Sequence, residues 1–263
     1  MIRSVGGYRK FIDQGLNDHY LPVWLQDAGY NTYYTGKLFN AHAVDNYDKP
    51  YAAGWTGSVR FGSLRISPSL TIHKDFLLDP FTYWYMNSSY QRNKDPPESF
   101  EGKHSVDVLT EKALGFVDEA SQSDAPFFLG LAPVAPHCNI WSPVFKYGNH
   151  SSLTEVTFSP PVPAERHASL FKGVKVPRTD NFNPDKPSGA NWVRKLPQQS
   201  QDDVDYNDHY YRERLRSLQT VDEMVEKLVE SLDKRGILDN TYIMYTTDNG
   251  YRKWDHGGVI MKH

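Results

Sequence analysis

The chain has 263 residues, 39% of them hydrophobic and 14% aromatic, which is enough apolar material for a buried core and too much for a disordered chain. Its 29 Lys and Arg stand against 32 Asp and Glu, and this formal charge of -3 excludes bulk attraction to nucleic acid or an anionic membrane, so an anionic ligand has to meet a local positive cluster. No apolar run approaches the roughly 18 residues of a membrane span, the first eight residues lack an apolar signal core, and the single cysteine, Cys138, excludes an intrachain disulfide and a multi-thiolate metal site.

In chain order, Tyr20, Leu21, Trp24 and Leu25 have helical spacing within residues 17–28, and Gly29 follows as a terminator. Residues 30–34 then read as a strand, which Gly36 breaks so that Lys37 sits at a strand end. Sequons for N-glycosylation start at Asn87 and Asn149. Between 105 and 120, Val106, Leu109, Ala113, Phe116 and Val117 mark an amphipathic helix with Ser105 as its cap. The continuous apolar run 127–132 predicts a strand covered on both faces, as in a parallel sheet.

Residues 145–199 are rich in Pro, Asn and Ser and predict long irregular excursions. Tyr211, Leu215, Leu218, Val221, Val225, Leu228 and Leu232 then mark a long amphipathic helix ending at Gly236, and 241–247 reads as another strand. This alternation predicts an α/β fold, a mostly parallel central sheet flanked by helices. Ligands in that class collect at the carboxyl ends of the strands, where Lys37, His137 and Asp248-Asn249-Gly250 fall.

Asp248 and Asn249 offer adjacent hard oxygen donors suited to Ca²⁺ or Mg²⁺, although Asp-Asn-Gly after a strand is equally a plain turn. His137, beyond two prolines, fits a donor to an anion or a general acid, and also a structural histidine. Lys37 offers a fixed positive charge to a sulfuryl or phosphoryl oxygen, or is merely solvated. No phosphate-binding Gly-rich loop, HExxH or GxSxG occurs. Cys138 beside His137 on an extended strand would point to the opposite face, against a Cys-His dyad.

The stretch from Leu21 to Lys37, LPVWLQDAGYNTYYTGK, resembles the second signature of the type I sulfatases of the alkaline-phosphatase superfamily. The resemblance extends through Asp75-Phe76-Leu77-Leu78-Asp79-Pro80, Ala135-Pro136-His137 and Asn240-Thr241-Tyr242-Ile243 to Asp248-Asn249-Gly250-Tyr251, most like fungal arylsulfatases and glucosamine-6-sulfatases. It implies the N-terminal domain of that fold, hydrolysis of a sulfate ester of an aryl group or sugar, and a secreted or lysosomal/vacuolar setting in which Asn87 and Asn149 would carry glycans. No nucleic acid or membrane partner is implied.

In such sulfatases a formylglycine made from the Cys of Cys-x-Pro-Ser-Arg attacks sulfur, and Ca²⁺ holds the sulfate oxygens. Carried over, Lys37 binds sulfate, His137 meets the ester or sulfate oxygen, and Asp248 and Asn249 complete the Ca²⁺ shell. His256 and Lys262 align with a later active-site His and Lys. Cys138 is no formylglycine precursor, because Ile140 and Ser142 stand where Pro and Arg are required. The expectation is therefore a partial catalytic domain over 1–263, without the nucleophile segment and the C-terminal part, interrupted by an insertion at 59–74, and inactive by itself. Two other readings are a sulfated-glycan-binding remnant and a superfamily phosphatase or phosphodiesterase, the latter disfavoured by Asp-Asn-Gly in place of an Asp-His pair.

Overall fold

In the computed structural model, which describes residues 6–55, 74–141 and 157–247, aromatic and β-branched residues build the centre of the sheet. Strand β1 (Asn31–Gly36) lies between β2 (Lys74–Leu77), followed in the chain by β3 (Ser89–Arg92) and β4 (Glu98–Ser99), and β5 (Phe127–Ala132). The order is β4-β3-β2-β1-β5. Strands β2, β1 and β5 are parallel, with Tyr34 opposite both Lys74 and Gly130, while β3 and β4 run antiparallel. The predicted mostly parallel α/β sheet is present.

Side-chain alternation divides the core between the two faces. On one face Leu77 packs with Tyr85, Val106, Leu109, Val221 and Met224, which brings helices α3 (Ser105–Ser121) and α5 (Gln201–Lys234) onto the sheet. The neighbouring Phe76 points the other way, into a cluster with Tyr8 and Phe11 of α1 (Gly7–Asp13), Trp55 and Leu78. Full burial of side chains of this size stabilises by roughly 2 to 3 kcal/mol each. Among the buried charged residues, Asp75 is fully shielded and accepts from Lys112 at 2.9 Å and Arg92 at 3.0 Å, tying β2 to α3 and β3.

Several local expectations are corrected. The first helical segment is shorter than expected, a 3-10 turn (Leu16–Asp18) followed by α2 (Leu21–Asp27), and it buries Pro22 and Val23 while Leu21 and Trp24 are exposed. The reason is contact with Gly54, where any side chain would collide with the Pro22 and Val23 backbone. The cap of α3 is His104, with Ser105 as the buried first helical residue. Strand β5 is only half-buried, because among the described residues it pairs with β1 alone and so forms the sheet edge.

Helix α5 starts ten residues before its apolar spacing shows, at a capping box in which Ser200 and Asp203 satisfy each other's backbone N–H groups. Its first turns are held by polar contacts, with Asp208 accepting from Val176 N and Arg178. Among the described residues, the stretch 157–199 is irregular as expected, apart from β7 (Thr157–Ser159), which pairs with β6 (Asn139–Trp141), a 3-10 turn (Glu165–His167) and the short helix α4 (Asn191–Arg194). Among the described residues the expected strand at 241–247 is not formed: Tyr242 is 96% exposed and Met244 83%, and no described strand lies beside these two. Most of the expected insertion, 59–73, lies outside the described residues, whereas Lys74 opens β2 and is buried.

Candidate functional site

Three parallel strands end at the same rim of the sheet, and each delivers one side chain to it. At the end of β1, Gly36 takes a positive φ of 110° and passes against Ala132 of β5, where a Cβ would strike the Ala132 carbonyl oxygen. Only glycine permits this exit. The next residue, Lys37, is pinned through its main chain: its N–H donates to Ala132 O at 3.1 Å and its carbonyl accepts from the Tyr34 hydroxyl at 2.5 Å. Burial holds the Tyr34 phenol well above its usual range, so the hydroxyl stays protonated as that donor.

Beyond β2, the chain turns at Asp79 into a 3-10 turn (Phe81–Tyr83). Asp79 is buried and its Oδ2 accepts from Ala41 N at 2.8 Å, while its own N–H donates to His42 O at 2.9 Å, which fastens the loop that follows Lys37. The turn presents Tyr83, whose hydroxyl accepts from Lys37 Nζ at 2.5 Å and lies 3.4 Å from Asn40 Oδ1. The Lys37 ammonium also lies 4.9 Å from the centre of the Tyr83 ring.

Beyond β5, residues 133–138 form a turn instead of an extended strand, closed by His137 N donating to Val134 O at 2.8 Å. The His137 ring stacks on Tyr83 with centroids 4.2 Å apart and planes at 29°. Its Nδ1 lies 2.9 Å from Cys138 O, and because a carbonyl only accepts, Nδ1 carries the hydrogen in that contact. The buried Tyr85 donates to His137 O at 2.8 Å.

The expected separation of Cys138 from His137 is overturned, since the turn places Cys138 Sγ 3.4 Å from Nδ1. That nitrogen already donates to the Cys138 carbonyl, so it is not a base for the thiol.

Of the residues expected from sequence, Lys37 and His137 are brought together, with Tyr83 between them. Asp248, Asn249, His256, Lys262 and Asn149 lie outside the described residues. Asn87 is half-buried in the turn before β3, where its Oδ1 accepts from Ser99 at 3.0 Å. Among the described residues no group of three or more His, Cys, Asp and Glu could hold a metal. Sequence reasoning missed Tyr83, Tyr85 and Asn40; the available signal was the aromatic run after Asp79-Pro80, at a third strand end. A groove of ≈ 620 Å³ along α5, lined by Leu215, Leu218, Val225 and Tyr245 among others, contains none of these residues.

Comparison with known proteins matches the chain to one family model, Sulfatase, over residues 3–259. It is 37% identical over 258 residues to an arylsulfatase of Volvox carteri, covering 95% of this chain and 36% of that protein. It is 30% identical over 238 residues to N-acetylglucosamine-6-sulfatase of Capra hircus, covering 85% of this chain and 34% of that one. A solved complex of a protein with its substrate D-glucosamine-2-N,6-O-disulfate shares the fold at a TM-score of 0.55 and 20% identity, over 88% of this chain and 49% of that one. The chain thus spans about a third of the length of these curated relatives.

Proposed function

The chain belongs to the sulfatase family, and on that footing we propose that it supplies the sulfate-recognising side of a sulfate-ester hydrolase acting on an aryl or sugar sulfate. The observation that carries this reading is the convergence of the Lys37 ammonium and the His137 imidazole on Tyr83 at one sheet rim. Lys37 binds a sulfate oxygen and offsets the negative charge that gathers there during S–O cleavage. His137, with Nδ1 donating to the Cys138 carbonyl, acts in its imidazolium form: the proton on Nε2 passes to the departing alcohol or phenol and leaves the neutral ring.

Within the 263 residues there is no Cys-x-Pro-Ser-Arg, so no residue of this chain is assigned as nucleophile. The proposal is accordingly a chain that binds sulfate esters and hydrolyses them poorly or not at all by itself. The absent motif favours a second reading, a sulfated-glycan-binding protein that uses the same two residues. Asp248 and Asn249 as Ca²⁺ ligands belong to the proposal on their donor chemistry alone, as do His256 and Lys262 in substrate contact and catalysis.

Among the described residues no helix is long and apolar enough to cross a membrane. A secreted or lysosomal setting, with glycans on Asn87 and Asn149, is part of the same proposal; one relative, from Caenorhabditis elegans, is named a putative extracellular sulfatase.

The test is calorimetric titration of the full chain with inorganic sulfate and an aryl sulfate, alongside release of the phenol. Binding that Lys37→Met abolishes and His137→Gln weakens is the expected result. Binding equal in wild type and both variants would overturn the assignment, and efficient turnover by the chain alone would overturn the claim that it hydrolyses such esters poorly or not at all by itself.

A further inference from the structure

We infer that Tyr83 is the positioning residue of this site, its hydroxyl setting the Lys37 ammonium and its ring setting the plane of His137; this rests on the sulfate-binding reading above. A lysine side chain has four rotatable bonds, and holding its tip in one place costs up to about 2 kcal/mol of rotamer entropy. A partner must therefore fix it before an anion arrives if binding is to be tight. A carboxylate would do so at the expense of the positive charge. A phenol hydroxyl is neutral and orients the ammonium without cancelling it.

The geometry fits that role. Lys37 Nζ donates to the Tyr83 hydroxyl at 2.5 Å, and the hydroxyl directs its own hydrogen toward Asn40 Oδ1 at 3.4 Å, so its lone pairs face the ammonium. The other edge of the site is set by the ring. His137 lies on it at 4.2 Å with its main chain anchored at both ends, by Val134 O and by the Tyr85 hydroxyl. With the backbone and one face fixed, Nε2 keeps one direction. Tyr83 itself is fixed because the turn that carries it follows directly from β2 and from Asp79, whose carboxylate is bonded to the loop after Lys37.

Two variants separate the hydroxyl from the ring. In Tyr83→Phe the ring remains and the hydroxyl is lost; affinity of the full chain for inorganic sulfate is expected to fall on the order of tenfold, the loss of one hydrogen bond to a charged group. The upfield ring-current shift of the His137 ring protons in NMR is expected to persist. In Tyr83→Leu both the affinity and that shift are expected to be lost. A Tyr83→Phe chain that binds sulfate as tightly as wild type, while Lys37→Met does not, overturns the inference and leaves the sulfate-binding reading standing. Sulfate binding that ignores Lys37 overturns that reading, and the inference with it. Should Tyr83→Leu fail to fold, the Tyr83→Phe titration decides the matter.

Discussion

Gly36 passes Ala132 with no space between them for a side chain: a Cβ on Gly36 would overlap the Ala132 carbonyl oxygen, and the φ of 110° is one that L residues rarely adopt. Gly36→Ala is therefore expected to cost about 2 to 4 kcal/mol, from backbone strain and from pushing β1 and β5 apart. The drop in urea midpoint measures it. Because Lys37 N is bonded to the same carbonyl, the variant is also expected to lose sulfate affinity.

His42 is fully buried against Tyr8 and Phe76, with ring centroids at 4.1 and 5.1 Å. Burial, with the nearby Lys74 charge, pushes its pKa from 6.5 down to about 3. The folded chain keeps this ring neutral where the unfolded chain protonates it. The stability it protects is thus complete above pH 6.5 and is lost as pH falls toward 3, at about 1.4 kcal/mol per pH unit. Denaturant titrations at about pH 7.5 and about pH 5 should show wild type losing roughly 2 kcal/mol more than His42→Phe. Equal losses would show that His42 is not a source of acid sensitivity.

Arg166 clamps two helices at once, reaching Asp107 of α3 at 2.6 and 2.9 Å and Glu223 of α5 at 2.5 to 3.1 Å. The guanidinium holds both carboxyls below their usual range. All three groups are partly exposed, so screening limits the gain, and Arg166→Ala is expected to cost about 1 kcal/mol. At about 1 M salt, where the Debye length is near 3 Å, the difference in thermal midpoint between wild type and variant should shrink.

Hydrogen exchange should distinguish the two segments that both read as strands. Residues 34–36 of β1 lie between β2 and β5, whereas Tyr242, Ile243, Met244 and Tyr245 are exposed with no described strand beside them. Amides 242–245 are expected to exchange faster than 34–36 by a factor of about a thousand or more. Comparable protection would mean that 241–247 is paired in solution.

Both segments carry the same local pattern, β-branched and aromatic residues after a helix, and that pattern alone determined a great deal. The strands at β1 and β5, helix α3, the body of α5, the α/β class and the placement of Lys37 and His137 at strand ends are all properties of local periodicity and of glycine and proline punctuation. These operate within a few residues of each other, so one chain read in order reveals them.

What a strand pairs with, and which face of a short helix is covered, are set by residues far away. Only the tertiary structure showed that β5 is an edge, that Gly54 selects the Pro22 and Val23 face of α2, and that a turn at 133–138 swings Cys138 back to His137. The largest gain was Tyr83. It lies 46 residues from Lys37 and 54 from His137 in the chain, and the aromatic run around it does not say which ring meets them. Three separate strand ends meet at one rim only after β1, β2 and β5 have paired in parallel, and that pairing is what makes a tyrosine between a lysine and a histidine into part of a site.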